Sequence, residues 1–167
     1  MSDQDARSRL VTWEDPRPSA EAARKETGLD FLRGIVEKRH PPPPIARALD
    51  FDLREVAEGR AVFVCQPGET HYNPIGMVHG GLPATLLDSA TGCAVHTTLP
   101  AGTGYATVSL QVELVRALTL ATGPVRCEGR VVHRGRAMAI AEGEVIGERD
   151  GKVYARGRSI CLIQESG

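Results

Sequence analysis

Aromatic residues are scarce in this chain, 4% of 167 positions. That leaves few rings for a base-stacking surface of the kind that grips single-stranded nucleic acid. There is no surplus of either charge: 20 Lys and Arg stand against 21 Asp and Glu, a net −1, whereas a general nucleic-acid binder usually carries a basic excess. No apolar run approaches the roughly 20 residues needed to cross a bilayer, and the polar, mixed-charge start MSDQDARSRL has no secretory pattern. The four cysteines, Cys65, Cys93, Cys127 and Cys161, lie far apart with no CxxC pair. Neither a zinc site nor a disulfide framework is indicated, and they read as small buried apolar residues. A cytoplasmic location is therefore expected, with no membrane span, nucleic acid, metal or cofactor. GxSxG, HExxH and GxGxxG are also absent, so Ser-His-Asp catalysis, classical zinc chemistry and dinucleotide binding have no support.

What is present suffices for one domain with one core and an added segment. Residues 1–18 are polar and end in DPRPS, an expected mobile arm in which Trp13 could dock. Ser19 is placed to cap a helix running to about His40, with Leu29, Leu32, Ile35 and Val36 on one face and Gly28 as a point where it could split. Pro41 to Pro44 then stop any helix and set a stiff extended connector. The expected division is residues 1–45, an N-terminal arm and helix with a Pro-rich linker, and residues 46–167, the main domain.

After the prolines the apolar period changes to two. Leu49, Phe51 and Leu53 alternate with Asp50, Asp52 and Arg54; Gly59 marks a turn, and RAVFVCQ completes a hairpin. Further on, TVSLQVELVRA sets Val108, Leu110, Val112 and Leu114 against Ser109, Gln111 and Glu113, the pattern of a sheet with one covered face. PVRCEGRVVH, AMAIAEGEVIGE and VYARGRSICLI follow across short turns, the last at Asp150-Gly151. Short turns force antiparallel neighbours. The class is α+β: a hairpin, one helix, then about four strands, with the helix lying across one face.

That helix, expected from about Gly80 to His96, opens in the stretch NPIGMVHGGLPATLLDSATG, residues 73–92. Pro83 is tolerable only in a first turn. Gly80, Gly81, Ala84, Ala90, Gly92 and Ala94 are small enough for close packing. First-turn amides are free and partly positive, and Gly80, with no side chain, lets a carbonyl approach its backbone. This is what an oxyanion hole requires. Two turns on, Asp88 sits among Leu86, Leu87 and Ala90, where a carboxylate is costly unless paired, hydrated or used. From the residues alone it could face solvent, hold structure or catalyse. His79 could bond loop backbone or act as a base, and Asn73 could simply make a turn.

The combination Asn73-x-x-Gly76-x-x-His79-Gly80-Gly81, then Leu86-x-Asp88, then TVSLQVELVRA, resembles the hotdog-fold acyl-CoA thioesterases of the phenylacetate-degradation (PaaI) type over about residues 46–163. The resemblance implies an antiparallel β-sheet wrapped around one long central helix, here with an extra N-terminal helical segment. It implies hydrolysis of an acyl-CoA to free acid and CoA at sites formed across the interface of a homodimer or homotetramer. Gly80 would donate its N–H to the thioester carbonyl, aided by Asn73. Asp88 of the neighbouring subunit would be general base or nucleophile, Thr107 would orient the water, and His79 would hold the turn. Gly81, Arg116, Arg134 and Arg136 would contact substrate, the arginines suiting CoA phosphates. Ala117 stands where the family often has proline. The first 45 residues lie outside the resemblance; they could cover the substrate channel, extend an oligomer interface or bind a partner. Because fold does not fix function, a non-catalytic acyl-CoA-binding sensor is the alternative. An interaction protein built on the N-terminal helix is a third reading. Hydratase chemistry fits less well, since no second acid is evident near His79.

Overall fold

The computed structural model describes residues 6–165. The alternating stretches pair into one six-stranded antiparallel sheet: β1 (Phe51–Ala57), β2 (Arg60–Cys65), β3 (Thr103–Leu114), β4 (Val125–Arg134), β5 (Met138–Gly147) and β6 (Val153–Glu165), in spatial order β1-β2-β4-β5-β6-β3. The central helix, here α4 (Gly81–His96), lies across the inner face, and Pro83 falls in its first turn as its missing N–H requires. The sheet wraps the helix, which is the hotdog arrangement.

Alternation decides which face is inner. Val125 and Cys127 of β4, Ala139, Ala141 and Val145 of β5, and Ala155 and Cys161 of β6 are fully buried. Leu86, Leu87, Ala90 and Ala94 of α4 are equally enclosed. A row of glycines sets how close helix and sheet come. Gly129, Gly143 and Gly157 are register partners across β4, β5 and β6. A methyl group on Gly129 would meet the Ala90 carbonyl oxygen at 2.3 Å, and Leu87 lies 3.3 and 3.1 Å from the equivalent points on Gly143 and Gly157. The helix thus rests in a trough that side chains would fill.

Two expectations are corrected. First, the N-terminal helical stretch is split at Gly28, as that glycine allowed, but it is not capped by Ser19. It is α1 (Pro16–Lys25) and α2 (Gly28–Val36), with a third short helix, α3 (Pro44–Leu49), that the proline run had hidden. Asp15 caps α1 by accepting the Arg17 N–H at 3.0 Å, and Pro16 and Pro44 take first-turn positions where proline is favoured. Arg7 pairs with Glu69 at 2.7 Å and Arg9 donates to the Arg47 carbonyl at 2.7 Å. Second, Val108 is not on the covered face of β3: it is 60% exposed. The pairing steps from Thr107–Cys161 to Ser109–Ile160, so Val108 is a bulge. One extra residue swaps the inner and outer sets. Tyr105 and Thr107 point inward before the bulge, Val112 after it.

α2 docks on the far end of α4. The Gly28 N–H donates to the Leu99 carbonyl at 3.0 Å, and a Cβ on Gly28 would strike the His96 carbonyl. Phe31 packs between His40 and His96, ring centroids 5.1 and 5.9 Å away, and His40 Nε2 meets Glu26 Oε1 at 2.9 Å. Burial lowers the pKa of His96 from its ordinary 6.5. The unfolded chain therefore protonates His96 at a higher pH than the folded one. The stability it contributes is complete above about 6.5 and drains as pH falls toward the folded value. Thermal unfolding midpoints should fall between pH 7.5 and 5.5. His96→Gln should flatten that slope, whatever its effect on the midpoint at high pH; His40 is unchanged in the variant, so the difference in slope belongs to His96.

Candidate functional site

The loop before α4 is held rigid by its own polar groups. His71, buried, accepts the Gly68 N–H on Nδ1 and donates from Nε2 to the Leu49 carbonyl, both at 2.9 Å. Asn73 Oδ1 accepts from the amides of Ile75 and Met77, at 3.1 Å each, while Gly76 takes the left-handed conformation at φ 82°. The Asn73 carbonyl group is thus spent on the turn. Its amide nitrogen makes no hydrogen bond among the described residues and remains a donor. The His79 N–H then donates to the His71 carbonyl at 2.7 Å, and His79 Nδ1 accepts from Gly81 at 2.8 Å.

Two consequences follow at the helix start. The Gly81 N–H is occupied by His79. The Gly80 N–H has no acceptor among the described residues. Gly80 has helical dihedrals, φ −59° and ψ −16°, so this free amide points back along the axis, away from the body of α4. A Cβ at Gly80 would lie 2.7 Å from Leu114 Cδ1, which fixes the C-terminal end of β3 beside the helix start.

Asp88 is partly buried, and its Oδ1 is fully enclosed without a hydrogen-bond partner or a neighbouring cation. It is close enough to Cys93, Tyr105 and Cys161 for its charge to help raise their pKa values, after burial, which is the main cause. Cys161 Sγ also lies 3.9 Å from Thr107 Oγ1. Asp88 and Thr107 thus border the same stretch of inner face, beside the β3 bulge.

Asp88 and Gly80 do not meet within one chain. Eight residues at a rise of 1.5 Å separate them by about 12 Å along the axis, and the amide faces the other way. The arginines are also divided. Arg116 follows β3 at the helix-start end and donates to the Val153 carbonyl at 2.5 Å. Arg134 and Arg136 sit on the β4–β5 turn, whose Ala137 carbonyl accepts from Ile163 at 2.9 Å, at the opposite end of the sheet. Arg134 donates to the adjacent Gly135 carbonyl, and all three arginines are exposed.

A cavity of about 790 Å³ lies on the outer face of the sheet and is lined by none of these residues. Its centre is occupied by paired charges. Glu128 accepts from Arg60 at 3.1 Å, lies 3.1 Å from Arg126 and contacts Arg130; the Arg60 bond is the main cause of its lowered pKa. Among the described residues no three His, Cys, Asp or Glu side chains are grouped to hold a metal ion, and no helix is long and apolar enough to cross a membrane.

Sequence reasoning missed His71, and it missed Tyr105, the ring that meets Gly92 one helical turn beyond Asp88. A ring at the start of a strand in a ring-poor chain was the only available signal.

The comparisons with known proteins bear on the family and the fold. The family model described as Thioesterase superfamily matches residues 75–154. A solved protein of the thioesterase superfamily is 30% identical, with 83% of this chain and 100% of that one covered, at a TM-score of 0.67. A phenylacetic acid degradation-related protein from Ralstonia eutropha JMP134 is 27% identical over 78% of this chain and 98% of its own, at a TM-score of 0.70. Acyl-coenzyme A thioesterase 13 of Mus musculus is 26% identical over 129 residues, 76% of this chain and 90% of the relative. A candidate esterase of Halobacterium salinarum is 37% identical over 86 residues, and there the match spans about half of the relative, 51%. Sequence and fold therefore agree that this chain belongs to the thioesterase superfamily.

Proposed function

We propose that the chain hydrolyses the thioester bond of an acyl-CoA at sites shared by two protomers, the Gly80 amide coming from one and Asp88 from the other. The observation that carries the reading is the pair of unsatisfied groups on α4: a buried carboxylate oxygen with no partner and, two turns away, a free amide pointing outward. A half-buried carboxylate with one enclosed, unpartnered oxygen costs stability and is retained where it is used. The two groups are too far apart to act on one carbonyl within a single chain.

β3 supplies the means of bringing them together. It is an edge strand of 12 residues with Val108 and Leu114, 60% and 58% exposed, beside an unpaired backbone row, and such edges favour pairing. A two-fold axis through β3 runs the two strands antiparallel. The Gly80 and Arg116 end of one protomer then lies beside the Asp88, Arg134 and Arg136 side of its partner. The homodimer is the unit that completes the site; a homotetramer would repeat it.

In the reaction, the Gly80 N–H and the Asn73 amide hold the thioester oxygen. The Asp88 carboxylate takes a proton from water positioned by the Thr107 hydroxyl, and the hydroxide attacks the carbonyl carbon. The tetrahedral oxyanion is held by the same donors. It collapses with breakage of the C–S bond, and CoA thiolate leaves to recover the proton. His79 keeps the turn in shape through Gly81, and the arginines face the CoA phosphates. Attack by Asp88 itself, through an anhydride, is separated from this route by a single turnover in ¹⁸O-water: only the anhydride route labels the Asp88 carboxylate. The reading is tested with a panel of acyl-CoAs, following release of free thiol. Turnover of some members supports it. Saturable binding with no cleavage across the panel contradicts it and returns the sensor reading.

A further inference from the structure

In the proposed reaction the thioester carbon sits beside Asp88 and the large, polar CoA stays outside, which directs the acyl group along the seam between α4 and β3. One turn on from Asp88, at Gly92, that seam is blocked. Tyr105 of β3 lies flat on the glycine: a Cβ there would be 2.7 Å from the phenolic oxygen, 2.9 Å from Cε2 and 3.1 Å from Cζ. Mid-helix glycine weakens a helix relative to alanine, and here it makes room for this ring. The Tyr105 hydroxyl has no hydrogen-bond partner among the described residues, so the ring acts here through its bulk. Behind the ring stands His96, centroids 5.6 Å apart, and behind His96 stands Phe31 of α2 at 5.9 Å. The N-terminal segment therefore buttresses the far side of Tyr105.

We infer that Tyr105, seated on Gly92 and backed by His96 and Phe31, is the floor of the acyl pocket and restricts the substrate to short acyl groups. The inference rests on the thioesterase reading for the direction in which the acyl group runs. One helical turn gives about 6 Å between the level of Asp88 and that of the Tyr105 contact. With carbon–carbon bonds of about 1.5 Å this accommodates roughly four to six carbons.

The test measures chain-length profiles in two ways: hydrolysis of straight-chain acyl-CoAs from acetyl to palmitoyl, and calorimetric binding of the matching alkyl-CoA thioethers, which cannot be hydrolysed. Wild type should favour chains of about six carbons or fewer in both. Tyr105→Ala should raise the octanoyl-to-butanoyl ratio of kcat/KM at least about 10-fold, the scale set by a few methylenes in an apolar pocket, and shift thioether binding the same way. Tyr105→Phe, which keeps the ring, should hold the ratio within about 2-fold of wild type. Tyr105→Leu keeps more packing and carries the same prediction, with a smaller shift, should the alanine variant not fold. A wild-type preference for palmitoyl chains, or an unchanged profile in the shortened variants, overturns the inference. If wild type cleaves nothing but thioether binding shows the cut-off and its shift, the thioesterase reading fails and the pocket floor stands. If wild type binds no thioether, the inference falls too.

Discussion

Asp88→Asn should lower kcat at least about 10²-fold, the usual weight of a general base, with little change in KM. The substitution is close to isosteric, so packing around Leu86, Leu87 and Ala90 is kept while proton acceptance is lost. Stability should move the other way. Asp88 Oδ1 is enclosed and unpartnered, and a neutral amide oxygen costs less to desolvate there than a carboxylate oxygen. The melting temperature of the variant should equal or exceed that of wild type. This opposition separates a working carboxylate from a structural one, whose removal would lower both. Thiol release from the best acyl-CoA together with a thermal melt gives both readings. Wild-type turnover in the variant would remove Asp88 from the chemistry.

Gly80→Pro should cost about 10²–10³ in kcat, the scale of losing one oxyanion donor, relative to Gly80→Ala. The comparison is unusually clean because the backbone already suits proline: Gly80 has φ −59°, inside proline's fixed range. Both variants place a carbon where Leu114 Cδ1 now lies 2.7 Å away, and the end of a leucine side chain can yield. Whatever that displacement costs is common to the two. Only the proline variant lacks the N–H. Equal activities in the two would mean that the Gly80 amide does not hold the thioester oxygen. Initial rates at saturating acyl-CoA, with circular dichroism to establish folding, decide it.

Much of this architecture could be read from the residues, for identifiable reasons. Period-two alternation placed the hairpin and the later strands, because one face of the sheet is covered. Pro83 marked the start of α4, because a proline fits only the first turn. Other features depend on contacts that no local pattern records. Val108 alternates correctly in sequence yet faces outward, since a bulge is set by pairing with β6. Asp15 rather than Ser19 caps the first helix, because Pro16 and Pro18 can both be carried in an opening turn. α3 begins at Pro44, the last of a proline run that looks like a pure stop signal. At the candidate site the motif from Asn73 to Asp88 was visible as a string. The proposed division between two chains came with the family resemblance, and the helix adds a physical reason for it, about 12 Å of axis between residues 80 and 88. The pairing of Gly92 with Tyr105 joins residues on different elements and leaves no periodic trace.

The central claim is that the amide and the carboxylate of one working site belong to different protomers. Mixed dimers of Asp88→Asn and Gly80→Pro chains test it most directly. Each homodimer lacks one half of both its sites. Each mixed dimer regains one intact site, with Gly80 from the first chain and Asp88 from the second. Random association into two-fold dimers should restore about a quarter of wild-type activity from two nearly inactive parents. A mixture that exchanges subunits yet stays no more active than its parents would place both groups' work within a single chain and contradict the account.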